Sequence, residues 1–135
     1  MSVPIDLAEL ARTAAKHDFA YLVTTTEDGR AHLVAVQPVV EDRMVRVACL
    51  GRRTLANASA RPQVTLAWPP RAAGGHSLFV DGTAEVRPGD DGDIIMVSPS
   101  RAVLHRPAPS PSPTDDPSAC VSDCVELPVA GTASS

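Results

Sequence analysis

Phe19-Ala20-Tyr21-Leu22-Val23-Thr24-Thr25-Thr26, followed by Glu27-Asp28-Gly29-Arg30 and then by Ala31 to Val40, is the stretch whose reading decides the fold. The first run is β-branched and aromatic, the Asp-Gly pair is the signal of a tight hairpin, and the last run reads as the returning strand. Downstream, Glu41-Asp42-Arg43 makes a second short turn into Met44 to Leu50, where Val45, Val47 and Cys49 alternate with Met44, Arg46 and Ala48. Three successive strands are therefore expected to form a meander. Gln63 to Trp68 reads as a fourth strand closed by Pro69-Pro70, and His76 to Val86 as a fifth with a bulge or bend at Asp81-Gly82. Asp93 to Val97, with Arg101 to Arg106 beyond a break at Pro99, supplies a sixth.

Two helices are expected around these strands. Asp6 precedes Leu7, Leu10, Ala11 and Ala14 at helical spacing, and Glu9 completes a capping-box pattern, which predicts a helix over residues 6–17. Gly51 ends the third strand, and the good helix formers of residues 52–60 stop at Arg61-Pro62, because a residue before proline avoids helical geometry. Six strands joined by short turns, with no alternation of strand and crossover helix, predict a mainly β chain. The expected architecture is a six-stranded antiparallel barrel with short helices, since an open sheet would leave its edges unprotected. Residues 1–106 form the expected domain, and residues 107–135, with repeated Ser-Pro and almost no apolar periodicity, an expected disordered tail.

Composition excludes several function classes. A chain of 135 residues holds one domain, so any site lies within it or between copies of it. The net charge of −4 and the scattering of the twelve basic residues argue against a nucleic-acid partner. No apolar run is long enough to cross a bilayer and no basic-then-apolar leader opens the sequence, so no membrane partner and a cytoplasmic location are expected. Cys49, in an apolar strand, and Cys120 and Cys124, in the tail, make an odd count that does not suggest a disulfide framework. His17, His32, His76 and His105 are scattered and show no metal-ligand spacing. No Gly-x-Ser-x-Gly nucleophile elbow is present.

The chemistry concentrates at Val47-Ala48-Cys49-Leu50-Gly51-Arg52-Arg53-Thr54-Leu55-Ala56-Asn57, where a strand hands over to a helix. Unpaired N–H groups at a helix start, together with guanidinium forks, are the parts that recognise phosphate. Thr54 and Asn57, three residues apart, share a helix face. The competing reading makes Arg52 and Arg53 solvated surface charges and Thr54 and Asn57 backbone caps.

The order of parts along the whole chain tips this balance. A leading helix, a strand, Asp28-Gly29-Arg30-Ala31-His32, the run from Gly51 to Pro62, Val64-Thr65-Leu66-Ala67-Trp68 and Val80-Asp81-Gly82-Thr83-Ala84-Glu85-Val86 together resemble the pyridoxamine 5′-phosphate oxidase-like superfamily. The resemblance covers residues 6–106 and looks most like the compact actinobacterial flavin- and F420-binding branch. It implies an FMN-binding split barrel, working as a homodimer with the cofactor at the subunit interface. It places Arg53 and Thr54 in the phosphate clamp, with Arg52 beside them, and Asn57, on the same helix face as Thr54, is the further candidate for a polar contact. Val34, Ala35 and Val36 of the second strand, with Val47 and Ala48 of the third, would line the ring. His76 and Ser77 match positions that approach the cofactor from the same or the partner subunit.

The implied cofactor is FMN or the deazaflavin F420, with haem the less favoured ligand. The implied activity is an oxidoreductase acting on a small-molecule substrate, for which the cofactor carries the hydride and no catalytic side chain need be singled out. The alternative is a non-catalytic flavin- or haem-binding dimeric split barrel. Two departures stand out: Thr54 follows Arg53 where the family commonly has a lysine, and the Pro-Ser tail replaces the C-terminal segment that completes pyridoxamine-phosphate oxidases.

Overall fold

Alternation between inward apolar and outward polar residues sets the strands of the computed structural model, which describes residues 2–48 and 50–108. The elements in order are β1 (Ser2–Pro4), a 3-10 turn (Leu7–Glu9) running into α1 (Leu10–Ala14), β2 (Ala20–Thr25), β3 (Ala31–Val36), β4 (Val39–Glu41), β5 (Met44–Val47), α2 (Arg52–Ala60), β6 (Gln63–Trp68), β7 (Ser77–Arg87) and β8 (Ile94–His105). Ser2–Arg106 form one compact unit. The expected disordered tail lies almost wholly outside the described residues, as do Cys49, Cys120 and Cys124.

The strands form one eight-stranded antiparallel sheet in the order β3-β2-β6-β7-β8-β5-β4, with β1 added against β8. The expected count of six is therefore corrected to eight. Strand β1 is only three residues long and ends on Pro4, too short to carry a period. Pro38, which has no N–H to give a ladder, splits the run from Ala31 to Val40 into β3 and β4. The last strand, by contrast, is not broken at Pro99. That proline pairs with Gly82, Arg101 pairs with Asp81, and Ser100 between them is the extra residue of a β-bulge. Gly82 is required there, since a Cβ would stand 2.6 Å from the Ser98 carbonyl oxygen and 2.7 Å from Val97 Cγ1.

The expected meander is corrected as well. Hairpins β2–β3 and β4–β5 lie at opposite ends of the sheet, yet only Gln37 and Pro38 separate β3 from β4. Three peptide units reach at most about 11 Å, so the two ends must curl back toward each other. The result is a curled half-barrel whose terminal strands are joined by the chain and, among the described residues, not by a ladder.

Alternate residues of this sheet fill the interior: Leu22, Val47, Leu66, Val80 and Ile95 are fully buried, and Leu10 of α1 is buried with them. The expected helix over 6–17 is shorter than its pattern. Asp6 Oδ1 accepts from the Ala8 N–H at 3.0 Å and starts the 3-10 turn, while Glu9 pairs with Arg12 at 2.9 Å instead of reaching back to close a capping box.

Candidate functional site

Helix α2 begins on Gly51, in extended conformation, with no side-chain cap and no acidic residue in its first turn. Its opening N–H groups therefore lack an intrahelical partner, and the positive end of the helix dipole is not offset. Buried polar groups fasten the helix to the β2–β3 hairpin. Asn57 Nδ2 donates to Thr24 Oγ1 at 3.1 Å, and Arg61 donates through Nε to the Thr25 carbonyl at 2.7 Å and through Nη2 to Asn57 Oδ1 at 3.5 Å. Thr54 Oγ1 lies 3.4 Å from His32 Nε2 on β3. Thr24, Thr54 and Asn57 are 1%, 2% and 6% exposed, so the Asn57–Thr24 bond forms away from water, while the contacts of Arg61 and His32 are half-buried.

Between α2 and the hairpin tip lies a groove of about 550 Å³, lined by Arg53, Asn57, Thr26, Glu27, Asp28 and Arg30. Thr26 Oγ1 donates to Asp28 Oδ1, and Arg30 stands 3.7 Å from Asp28 Oδ2 in an exposed pair of little energetic weight. Arg53 is exposed and, among the described residues, has no hydrogen-bond or ion-pair partner. Glu27 and Asp28 formally balance Arg30 and Arg53, so the groove carries no net charge. Its anion affinity would rest on local geometry.

The other expected site residues fall into two further places. Ala35, Val36 and Ala48 meet in a cleft of about 430 Å³ with Asp18, Phe19 and Gln37. Val34 is half-buried on β3, whereas the Val47 side chain is fully buried in the core, so a ligand at that point would meet backbone. His76 borders a separate depression of about 350 Å³ with Lys16, His17, Arg71 and Leu104, and Ser77 pairs in register with His105. Arg52 is exposed at the helix start but does not line the groove beside Arg53.

The arrangement suits a phosphorylated ring cofactor at both ends. Free N–H groups and a free guanidinium meet the chemistry of a phosphate, and the small residues Ala35 and Ala48 leave backbone open to a flat ring. Arg30 and Ala35, which border the two clefts, are separated by about 17 Å of extended chain.

Sequence reasoning did not assign Thr24, His32, Arg61 or the hairpin tip to this region. The available signal was Thr24, which continues the inward-facing series of Ala20 and Leu22 with a hydroxyl where an apolar side chain would serve the core.

No protein-family model matches the sequence. Two uncharacterized mycobacterial proteins, from Mycobacterium bovis and Mycobacterium tuberculosis, are 40% identical over 137 residues, covering 93% of this chain and 96% of each relative. Among solved structures, an FAD binding protein from Mycobacterium smegmatis superposes with a TM-score of 0.62 at 16% identity, over 77% of this chain and 98% of that one. An F420 reductase gives 0.59 at 20% identity, over 74% and 98%. A candidate pyridoxamine 5′-phosphate oxidase from Listeria innocua gives 0.62 at 10% identity, over 73% and 96%.

A curled antiparallel sheet split between its end strands, with a helix entering beside the hairpin at one end, is the split-barrel fold, and this molecule shares that fold with these solved structures. By sequence, the chain belongs to one family with the two mycobacterial proteins. Among the described residues, no helix is long and apolar enough to cross a membrane.

Proposed function

We propose that this chain binds FMN or F420 along β3 and works, as a homodimer, as an oxidoreductase on a small molecule. The observation that carries the reading is the unpaired Arg53 guanidinium, set in a groove beside the uncapped start of α2. Backbone N–H groups and a planar guanidinium together take the oxygens of a phosphate. Asn57 and Arg61 fasten the middle and the end of α2, so the donors at its start are not spent on holding the helix. When bound, the cofactor supplies hydride chemistry, and the protein's part is to bind, orient and shield it. The solved neighbours described as an FAD binding protein and an F420 reductase favour flavin or deazaflavin over haem.

The outer face of the sheet supports the second copy. Across β3, β2, β6 and β7 the register aligns Ala35, Tyr21, Ala67 and Phe79 in one apolar row. Within it Tyr21 is 38% exposed and beside it Leu33 is 54%, an apolar surface that a partner subunit would cover.

Absorbance titration of the purified chain with FMN, F420 and haemin, run with sedimentation equilibrium, tests the reading. One of the first two should bind to a dimer, and Arg53→Ala should weaken binding by about 1.5–3 kcal/mol, the worth of a hydrogen bond to a charged group. Monomers that take up neither FMN nor F420 would reject it. A Soret band with haemin alone would move the assignment to the non-catalytic haem binder.

A further inference from the structure

Trp68, at the end of β6, is 2% exposed, yet its indole N–H has no acceptor among the described residues. A buried tryptophan N–H ordinarily finds a partner, and leaving one unpaired is costly. The same residue borders a cleft of about 300 Å³ between α1 and the link from β3 to β4, whose other walls include Ala11, Ala15, Phe19, Pro38 and Val40. This volume is at the small end of ligand pockets.

The polar groups at this cleft indicate the charge of what would enter. Asp18 accepts a hydrogen bond from Arg71 Nε at 2.8 Å, so its carboxylate is neutralised by a partner. The ring nitrogens of His17 lie 3.2 Å from the Thr13 carbonyl oxygen and 3.0 Å from that of His76, so the ring is turned toward backbone acceptors, to one of which a neutral imidazole donates. Only the Gln37 amide, exposed and without a side-chain partner among the described residues, and the Trp68 N–H are left over. The cleft is therefore walled mostly by apolar side chains, is bordered by a buried residue with an unpaired donor, and has its one carboxylate paired. It shares Asp18, Phe19 and Gln37 with the cleft lined by Ala35, Val36 and Ala48, so a molecule in one adjoins a ring in the other.

We infer that this cleft is a binding site for a small, uncharged, mostly apolar molecule bearing a carbonyl-type oxygen, which accepts a hydrogen bond from Trp68 Nε1–H. As a substrate pocket it rests on the flavin reading above; as a binding site it stands on the cleft and the unpaired donor.

Trp68 is the chain's only tryptophan, so the ¹⁵N-labelled full-length protein gives a single indole resonance. Cyclohexenone should move that resonance saturably. Cyclohexene, which lacks the oxygen, and cyclohexanecarboxylate, which is charged, should do so weakly or not at all. Trp68→Phe should weaken cyclohexenone binding, followed by backbone amide shifts, about two- to tenfold, the worth of one neutral hydrogen bond. Ala11→Phe, which narrows the cleft from an exposed helix position, should weaken it further without disturbing the core.

An indole signal that ignores cyclohexenone, or an affinity unchanged in Ala11→Phe, overturns the site. Absorbance titration with FMN and F420 on the same samples separates the two readings. Cofactor bound with an unmoved indole sinks the cleft alone, whereas a moved indole with neither cofactor bound upholds the cleft and sinks its role in a flavin reaction.

Discussion

The surroundings of the two helices solve opposite problems with the same materials. At α2 the buried polar atoms of Thr24, Thr54 and Asn57 find partners on neighbouring elements, and the groups left over are the solvent-facing Arg52 and Arg53, of which Arg53 lines the groove. At α1 the walls are mostly apolar, and of the two groups left over the Gln37 amide is exposed while the Trp68 indole N–H lies inside the protein. Paired buried groups position an element. Unpaired ones mark where a ligand would be worth most, because protein–protein bonds have already used up the rest.

The largest expected effect lies in the paired region. Asn57→Ala removes the bond to Thr24 Oγ1 and the contact with Arg61 Nη2, and strands a hydroxyl that is 1% exposed. An unsatisfied buried group costs about 1–3 kcal/mol, so a loss near 2 kcal/mol is expected in chemical denaturation. In a domain of this size that corresponds to a fall in Tm of roughly 10 °C. A loss under about 0.5 kcal/mol, the range of ordinary surface substitutions, would mean that α2 is held by its apolar face and that the contrast between the helices is mistaken.

How far the sequence reveals these regions follows from where their signals sit. The bounds of α2 at 52–60 and of β6 at 63–68 agree with the sequence reading, because Gly51, Pro62 and Pro69-Pro70 act on the backbone locally. The bulge at Gly82 was legible for the same reason, whereas its partner Pro99 looked like a strand break until the pairing with β7 placed it opposite that glycine. Strand order was not legible. Whether β3 lies beside β4 or at the far end of the sheet depends on contacts between segments distant in sequence, and the run from Ala31 to Val40 reads the same either way. The Thr24–Asn57 bond and the His32–Thr54 contact were hidden likewise, since they join residues 33 and 22 positions apart. Arg53 was legible as a candidate because its neighbours in sequence are also its neighbours in the helix.

A smaller effect is expected at the unpaired region, and its smallness is the point. Trimming a buried indole to a phenyl ring leaves a void and ordinarily costs on the order of 1–3 kcal/mol. Here Trp68→Phe also removes a donor whose unpaired burial costs a similar amount, ~1–3 kcal/mol, so the two largely offset. The net change in stability should be about 1 kcal/mol or less. A loss above about 2 kcal/mol would indicate that the N–H is satisfied in the folded protein and that the two helix regions are alike in this respect.

The smallest effect is expected where pairing takes place in water. On the outer face of β7, Arg87 Nη2 donates to Glu85 Oε1 at 2.7 Å, a bond shorter than any of those holding α2 by Asn57. The hydrogen bond, and then the charge of Arg87, hold the Glu85 carboxyl below the ordinary glutamate range. A depressed carboxyl contributes stability above its unfolded-state titration, and the contribution is lost as pH falls through the folded midpoint. Both side chains are substantially exposed, and solvent and salt screen the pair. A carbon-detected NMR titration should therefore place the Glu85 midpoint below that of an isolated glutamate and move it upward in Arg87→Gln, while thermal melts of the two proteins at neutral pH coincide. If the melts separate by as much as those of Asn57→Ala and the parent, burial is not what distinguishes the α2 network, and bond length alone would rank these contacts.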